Sequence, residues 1–224
     1  MLKRSNLVCL VILLFGGLTA FAQNGKKGVV SINGGRTSIF VNTPSQIEAP
    51  ADDADAGLVV IYSNLGSGSN VYNAIVGSGV LGPDVPNQLF PEWMAYAFSP
   101  IADHTVYSIK VGATYVSGFN KLVMSLNEDG GGIPGKILQT WTFGNLPEFG
   151  TCCTLQTGRA LNGIPVTHGH TYWVTLRTVP AGKDTWEVWN DNFSGIQGPT
   201  ANNIGSGWIN EGIQTLGAFG VLGK

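Results

Sequence analysis

Charged side chains are scarce in this chain, and their scarcity removes a large class of partners. Asp, Glu, Lys and Arg make up 12% of its 224 residues, twelve basic against fourteen acidic, for a formal charge of -2. Binding to a phosphate backbone relies on clustered Lys and Arg. Beyond the first few residues the only adjacent basic pair is Lys26-Lys27, so no nucleic-acid partner is expected. Catalytic signatures are also missing: there is no Gly-x-Ser-x-Gly elbow, no His-Glu-x-x-His and no Walker loop. No cofactor is expected. Long apolar runs are absent too, since none reaches the roughly 20 residues that span a bilayer. Nor does any stretch of a dozen residues carry a helical stripe, and glycine, at 32 of 224, is about twice its usual ~7%, which disfavours helices.

The short apolar run that does occur reads as an export signal. Lys3 and Arg4 form a positive start, Leu7 to Phe15 an apolar stretch, and Ala20-Phe21-Ala22 a small-x-small cleavage site. Residues 1–22 are therefore expected to be a signal peptide, with Gln23 opening a secreted, extracellular or cell-surface protein. Cleavage would remove two basic residues and no acid, taking the formal balance from -2 to -4. The mature chain is long enough for one substantial core without disulfide help.

Cysteine is nearly absent. Of three cysteines, Cys9 leaves with the signal, so Cys152 and Cys153 stand alone and adjacent in a chain bound for an oxidising compartment. Neighbours cannot staple distant parts of a fold. They are two free thiols, a ring between neighbours, or links to another chain. Side chains of successive strand residues point to opposite faces, so a ring requires a turn or an irregular strand start, and 146–150 (Leu-Pro-Glu-Phe-Gly) looks like such a loop. A structural turn clamp or an inert reduced pair stands against a redox switch or an exposed binding platform.

Residues 23–57 read as a linker-like leader with turn formers, Pro44 and Pro50, and a small acidic run of Glu48, Asp52, Asp53 and Asp55. That run lacks the ligand spacing of an EF-hand loop. Within the leader, 29–41 has enough β-branched residues for one edge strand. From Leu58 on, strand-like segments bounded by turn residues recur at 58–63, 93–98, 105–116, 121–126, 136–143, 153–157, 171–178, 185–189 and 215–222. In 106–111, Val106, Ser108 and Lys110 alternate with Tyr107, Ile109 and Val111, as a strand with one wet face requires. The expected fold is all-β, a single jelly-roll-like antiparallel sandwich over 58–224.

An ordered set of segments carries a family resemblance. Tyr62-Ser63-Asn64-Leu65-Gly66, Trp93-Met94-Ala95-Tyr96-Ala97-Phe98, Ser125 to Asp129 followed by Gly131 to Gly135, and Cys152-Cys153-Thr154-Leu155-Gln156-Thr157 followed by Tyr172-Trp173-Val174 resemble the choice-of-anchor domains of bacterial exported proteins. Members often end in a PEP-CTERM sorting signal. The resemblance implies a surface or matrix β-sandwich with no assigned reaction and brings no catalytic residues. After Leu222-Gly223-Lys224 the anchoring motif of that family does not follow, so free secretion or retention by a partner is expected.

The residues themselves offer three candidate sites. Trp186 and Trp189 are an odd step apart, so one faces the core and the other outward. An outward ring beside Asn190, Asp191 and Asn192 resembles a sugar-binding surface, although such rings also simply fill cores. Asn127 and Asp129, in a glycine-proline loop that suits a hairpin turn, are weak calcium candidates. His168-Gly169-His170 has metal-like spacing but reads as a turn entering a strand. A binding module for polysaccharide or a surface protein is the favoured expectation. The alternative is a secreted hydrolase, such as a glycosidase, drawing on Glu92, Glu128, Glu148, Asp184, Glu187 or Asp191. A pocket of paired carboxylates favours the enzyme, and a shallow aromatic patch favours binding.

Overall fold

A computed structural model describes residues 26–32, 34–41 and 55–224. The expected signal peptide, Glu48, Asp52 and Asp53 lie outside the described residues. Fifteen strands, β1 to β15, make up the described fold, with a 3-10 turn at Gly68–Asn70 and no α-helix among the described residues. No helix there is long and apolar enough to cross a membrane.

The strands form three sheets. The largest contains β14 (Trp208–Thr215), β13 (Gln197–Asn203), β5 (Trp93–Phe98), β11 (Tyr172–Thr178), β8 (Lys121–Asp129) and β9 (Pro134–Gly144), in that order. A second runs β2 (Gly35–Val41), β1 (Lys26–Ile32), β4 (Val76–Leu81), β12 (Trp186–Asn190) and β7 (Ala113–Ser117). The third runs β10 (Gln156–Val166), β6 (His104–Val111), β15 (Phe219–Gly223) and β3 (Val59–Ser63). The two smaller sheets are stitched together where Ala218 N donates to Asn190 O at 2.7 Å and Gly112 N donates to Ala218 O at 3.0 Å. Side chains from both of them meet the inner face of the six-stranded sheet in one apolar cluster. The arrangement is a sandwich.

Alternation explains which residues build that core. Met94, Tyr96 and Phe98 on β5, Leu122, Met124 and Leu126 on β8, and Val174 and Leu176 on β11 point inward and are buried. Each buried residue of this size contributes about 1.5–3 kcal/mol through removal of apolar surface from water. In β6 the expected alternation breaks: Val106, Ile109 and Val111 all join the core, while Tyr107 is half-buried. Pairing shows why. Ser108 opposes Leu222 and Val106 opposes Gly223, so Tyr107 is an extra residue that resets the register.

The leader differs from its expected form. Where one edge strand was anticipated, Lys26–Ile32 and Gly35–Val41 pair antiparallel as β1 with β2, and β1 runs parallel to β4 through Val29, Val30 and Ser31. The pattern of β1 accounts for this: Val30 and Ile32 are buried in a second apolar cluster with Leu81, Phe149 and Val188. The alternate residues Val29 and Ser31 face the space between the layers.

Candidate functional site

Where the β1–β2 and β13–β14 hairpins meet, the sandwich is not filled with apolar side chains. A cleft of about 440 Å³ opens between the layers. Its walls come from β1, β2 and β4 on one side and β5, β13 and β14 on the other. Arg36 on β2, Ser78 on β4, Glu92 just before β5, Asp191 just after β12, and Glu211 on β14 face it. Tyr96 forms the floor. Its ring lies 4.4 Å from that of Trp189, edge to face, and its hydroxyl donates to Ser78 Oγ at 2.9 Å.

The electrostatics follow from partial burial without enough countercharge. Burial pushes the Asp191 carboxyl up from 3.8 to about 7, with Arg36 pulling the other way. Burial also raises Glu211, whose Oε1 accepts from Asn202 Nδ2 at 2.9 Å. The Tyr96 hydroxyl is held well above its ordinary range by burial and then by the carboxylates Asp191, Glu211 and Glu92. Chemically the cleft can donate and accept hydrogen bonds, attract cations and hold a protonated carboxyl near neutrality.

Of the expected sugar-binding residues, only Asp191 lines this cleft. Trp189 is fully buried and donates its indole N–H to Ala218 O at 3.1 Å. Asn190 is buried as well, accepting from Thr114 Oγ1 at 2.7 Å and donating to Asn73 O at 2.9 Å. Asn192 ties the turn after β12, donating to Leu216 O at 2.7 Å and Ile196 O at 2.8 Å while accepting from Ile196 N at 2.7 Å. Trp186 packs half-buried against the second apolar cluster. The outward tryptophan expected beside these amides is therefore corrected to two packing rings, because both faces of β12 are covered. The two side-chain amides and the two rings are spent on holding the strand.

The glycine-proline loop is also structural. Asp129 accepts from Trp173 Nε1 at 2.7 Å and from the amides of Gly131 and Gly132 at 3.0 and 3.1 Å. Both glycines have positive φ, 91° and 84°, which aims their N–H groups at one carboxylate. Burial works to raise Asp129, and these donors outweigh it and hold the carboxyl below its usual value. Asn127 Nδ2 donates to Gly135 O at 2.9 Å. The weak calcium reading of Asn127 and Asp129 is replaced by a loop clasp over the outer face of β11. His168 and His170 sit in the exposed turn before β11, and the described residues contain no group of three acid, His or Cys side chains able to hold a metal ion.

Cys152 and Cys153 are joined to each other and buried against Val71, Tyr72 and Ala218. The Tyr72 hydroxyl donates to Thr151 O at 3.0 Å, so the pair belongs to a packed turn and not to an exposed platform. Asp55, from the acidic run, pairs with Lys110 and with Arg159 at 2.8 Å.

Among the six acids considered for hydrolysis, Glu92 and Asp191 come together. Glu128 instead faces Lys136 at 3.8 Å, and Glu187 lies fully inside the sandwich with neither oxygen in hydrogen-bond geometry. Arg36 and Glu211 were not expected in a site. No periodicity marks them, because strands far apart in sequence build the cleft. Gly77, Gly79 and Gly82 reproduce a Gly-x-Gly-x-x-Gly spacing, yet they lie along and just after β4, which leads into β5 with no α-helix between, so they are not a dinucleotide turn.

Fold and site together define an all-β sandwich with an acidic cleft between its layers. No protein-family model, curated protein or solved structure matches the chain.

Proposed function

We propose that this chain is an exported, jelly-roll-like binding module of the choice-of-anchor kind, and that it holds a polar extracellular ligand, a polysaccharide segment, in the inter-sheet cleft. The cleft itself carries the reading. It has the volume of a small-ligand site, about 440 Å³ against the usual ~300–1,000 Å³, and its lining mixes carboxylates, a guanidinium, hydroxyls and an amide. Sugar hydroxyls both donate and accept, so such a lining suits them. The signal-like N-terminus supports export. The protein is tested by screening the mature chain against cell-wall and exopolysaccharide glycans beside a Gln214→Trp variant, in which a bulky ring on an exposed strand position fills the cleft mouth. Binding lost in the variant is the expected result. Binding that survives it places the ligand elsewhere and overturns the reading.

One observation favours a second reading, a glycosidase. Asp191 shares the cleft with Glu92 and Glu211, and a carboxyl titrating at about 7 suits a general acid. Release of reducing ends from a bound glycan, abolished by Asp191→Asn, is what this reading requires. Glycan that is bound but never shortened removes it.

A further inference from the structure

Among the described residues, six strands lie at the edges of the three sheets: β2 and β7, β10 and β3, β14 and β9. An edge strand presents unpaired N–H and C=O groups to any passing strand, and a bulge in it spoils that template. Five of the six edges, β7, β10, β3, β14 and β9, carry a register shift against their neighbour. β2 differs. Its 7 residues pair with β1 from Lys26↔Val41 to Ile32↔Gly35 without a shift. It contains no proline, and its single charged residue is Arg36.

The direction of its backbone groups follows from β1. Val29 donates its N–H to Ile75 O at 2.8 Å, on the β4 side, so the Val29↔Ser38 pair is not bonded across the ladder. The N–H and C=O of Ser38 therefore point to the free edge, and alternation sends those of Arg36 and Phe40 the same way. These positions are symmetric about Ser38. Arg36 and Phe40 also share one face of the sheet, where Phe40 is 77% exposed and Lys27 Nζ lies 5.4 Å from its ring centre.

We propose that β2 is a dimerisation edge, pairing antiparallel with β2 of a second copy of this chain about a two-fold axis through Ser38. Ser38 then exchanges backbone hydrogen bonds with Ser38 of the second copy, and Arg36 with Phe40 of the second copy. No charge on β2 faces its like. The exposed ring instead meets a guanidinium, a cation–π contact that the symmetry makes twice. A second copy supplies this match from the sequence itself, which favours it over an unrelated extended segment. The pair also closes, because each copy spends its regular edge on the other. Arg36 lines the inter-sheet cleft, so Phe40 of the second copy comes to the cleft mouth. The pairing does not depend on what the cleft holds.

One strand pair makes a small interface, so association that depends on concentration is expected. Sedimentation of the mature chain from about 1 µM to about 1 mM should show monomer passing to dimer and no further. Over the same range, amide protection should rise at Arg36, Ser38 and Phe40 more than at Thr37 and Ile39. Ser38→Pro removes the central donor without removing a bond to β1, and an edge strand tolerates proline, so this variant should stay monomeric with unchanged near-ultraviolet circular dichroism. Phe40→Lys sets a cation against Arg36 of the second copy and should weaken the dimer about tenfold, and adding Arg36→Glu should restore it. A chain that is monomeric throughout overturns the proposal, as does a dimer indifferent to Ser38→Pro and Phe40→Lys. Failure of Arg36→Glu to restore the dimer overturns the pairing about Ser38. Protection of these amides in the monomer, independent of concentration, means that another segment covers the edge and overturns the second copy.

Discussion

Glu187 is the most conspicuous single residue outside the cleft. It sits on β12 between Val80 of β4 and Tyr115 of β7, fully buried, and the Lys121 backbone amide is the one donor near enough to favour its ionised form. Burial raises its carboxyl from 4.5 to about 8. For an acid raised on folding, the stabilising contribution is complete below the unfolded value and is lost as pH rises to the folded one. Stability should therefore fall from about pH 4.5 to about pH 8, by at most ~1.4 kcal/mol per pH unit from this group. Glu187→Gln is isosteric and cannot ionise, so denaturant titrations at pH 5 and pH 8 should give a shallower fall in the variant. An identical fall in both proteins would mean that Glu187 is not the cause. A second expectation at this scale concerns the cysteines: intact mass of the protein should lie two hydrogens below the reduced form, and thiols that alkylate fully without a reductant would contradict the bond.

Among elements, legibility followed side-chain chemistry. β5 occupies the bounds expected for 93–98, since β-branched or aromatic residues bounded by turns mark a strand. The expected strand 105–116 is split at Gly112 into β6 and β7, and 153–157 gives only the beginning of β10. β4, β13 and much of β14 were illegible because their Gly, Pro and Asn residues read as turns. In β4 the reason for glycine is a close approach: a Cβ on Gly77 would meet the Trp189 carbonyl oxygen and the Val188 side chain. The cleft inherits this difficulty, because β4, β13 and β14 supply much of its wall. The β8–β9 loop, by contrast, was rightly read as a turn, though its anchor could not be foreseen. Asn210 Nδ2 donates to Gly132 O at 2.7 Å, and Ile133 and Trp208 cover Trp173. Asp129→Ala removes three hydrogen bonds, one from a buried indole, and should cost about 1–3 kcal/mol with a red-shifted tryptophan emission. Unchanged emission and melting would show that the loop holds without its clasp.

For the whole molecule, the question is whether three sheets unfold as one body. The central cluster answers through its membership. Val80 and Trp189 from the five-stranded sheet, Val106 and Phe219 from the four-stranded sheet, and Tyr96 and Leu176 from the six-stranded sheet belong to one set of mutual contacts, so no sheet keeps its buried face without the others. The hairpin of β1 and β2 is the weakest candidate for independence, because it joins β4 through only Val29, Val30 and Ser31. Its Val30 and Ile32 nevertheless pack on Val188 and Leu81, whose strands also line the central core. Burial of these apolar groups couples the hairpin to the rest, while its outer strand β2 has one free edge and exposes Phe40. Amide exchange should then be fastest in β2 and slowest in β5 and β11, which lie between strands on both sides. Thermal unfolding followed by far-ultraviolet and near-ultraviolet circular dichroism should give coincident transitions at one midpoint. Two resolved transitions, with the early one accompanied by complete exchange of β1 and β2, would instead make the hairpin a detachable wall of the cleft.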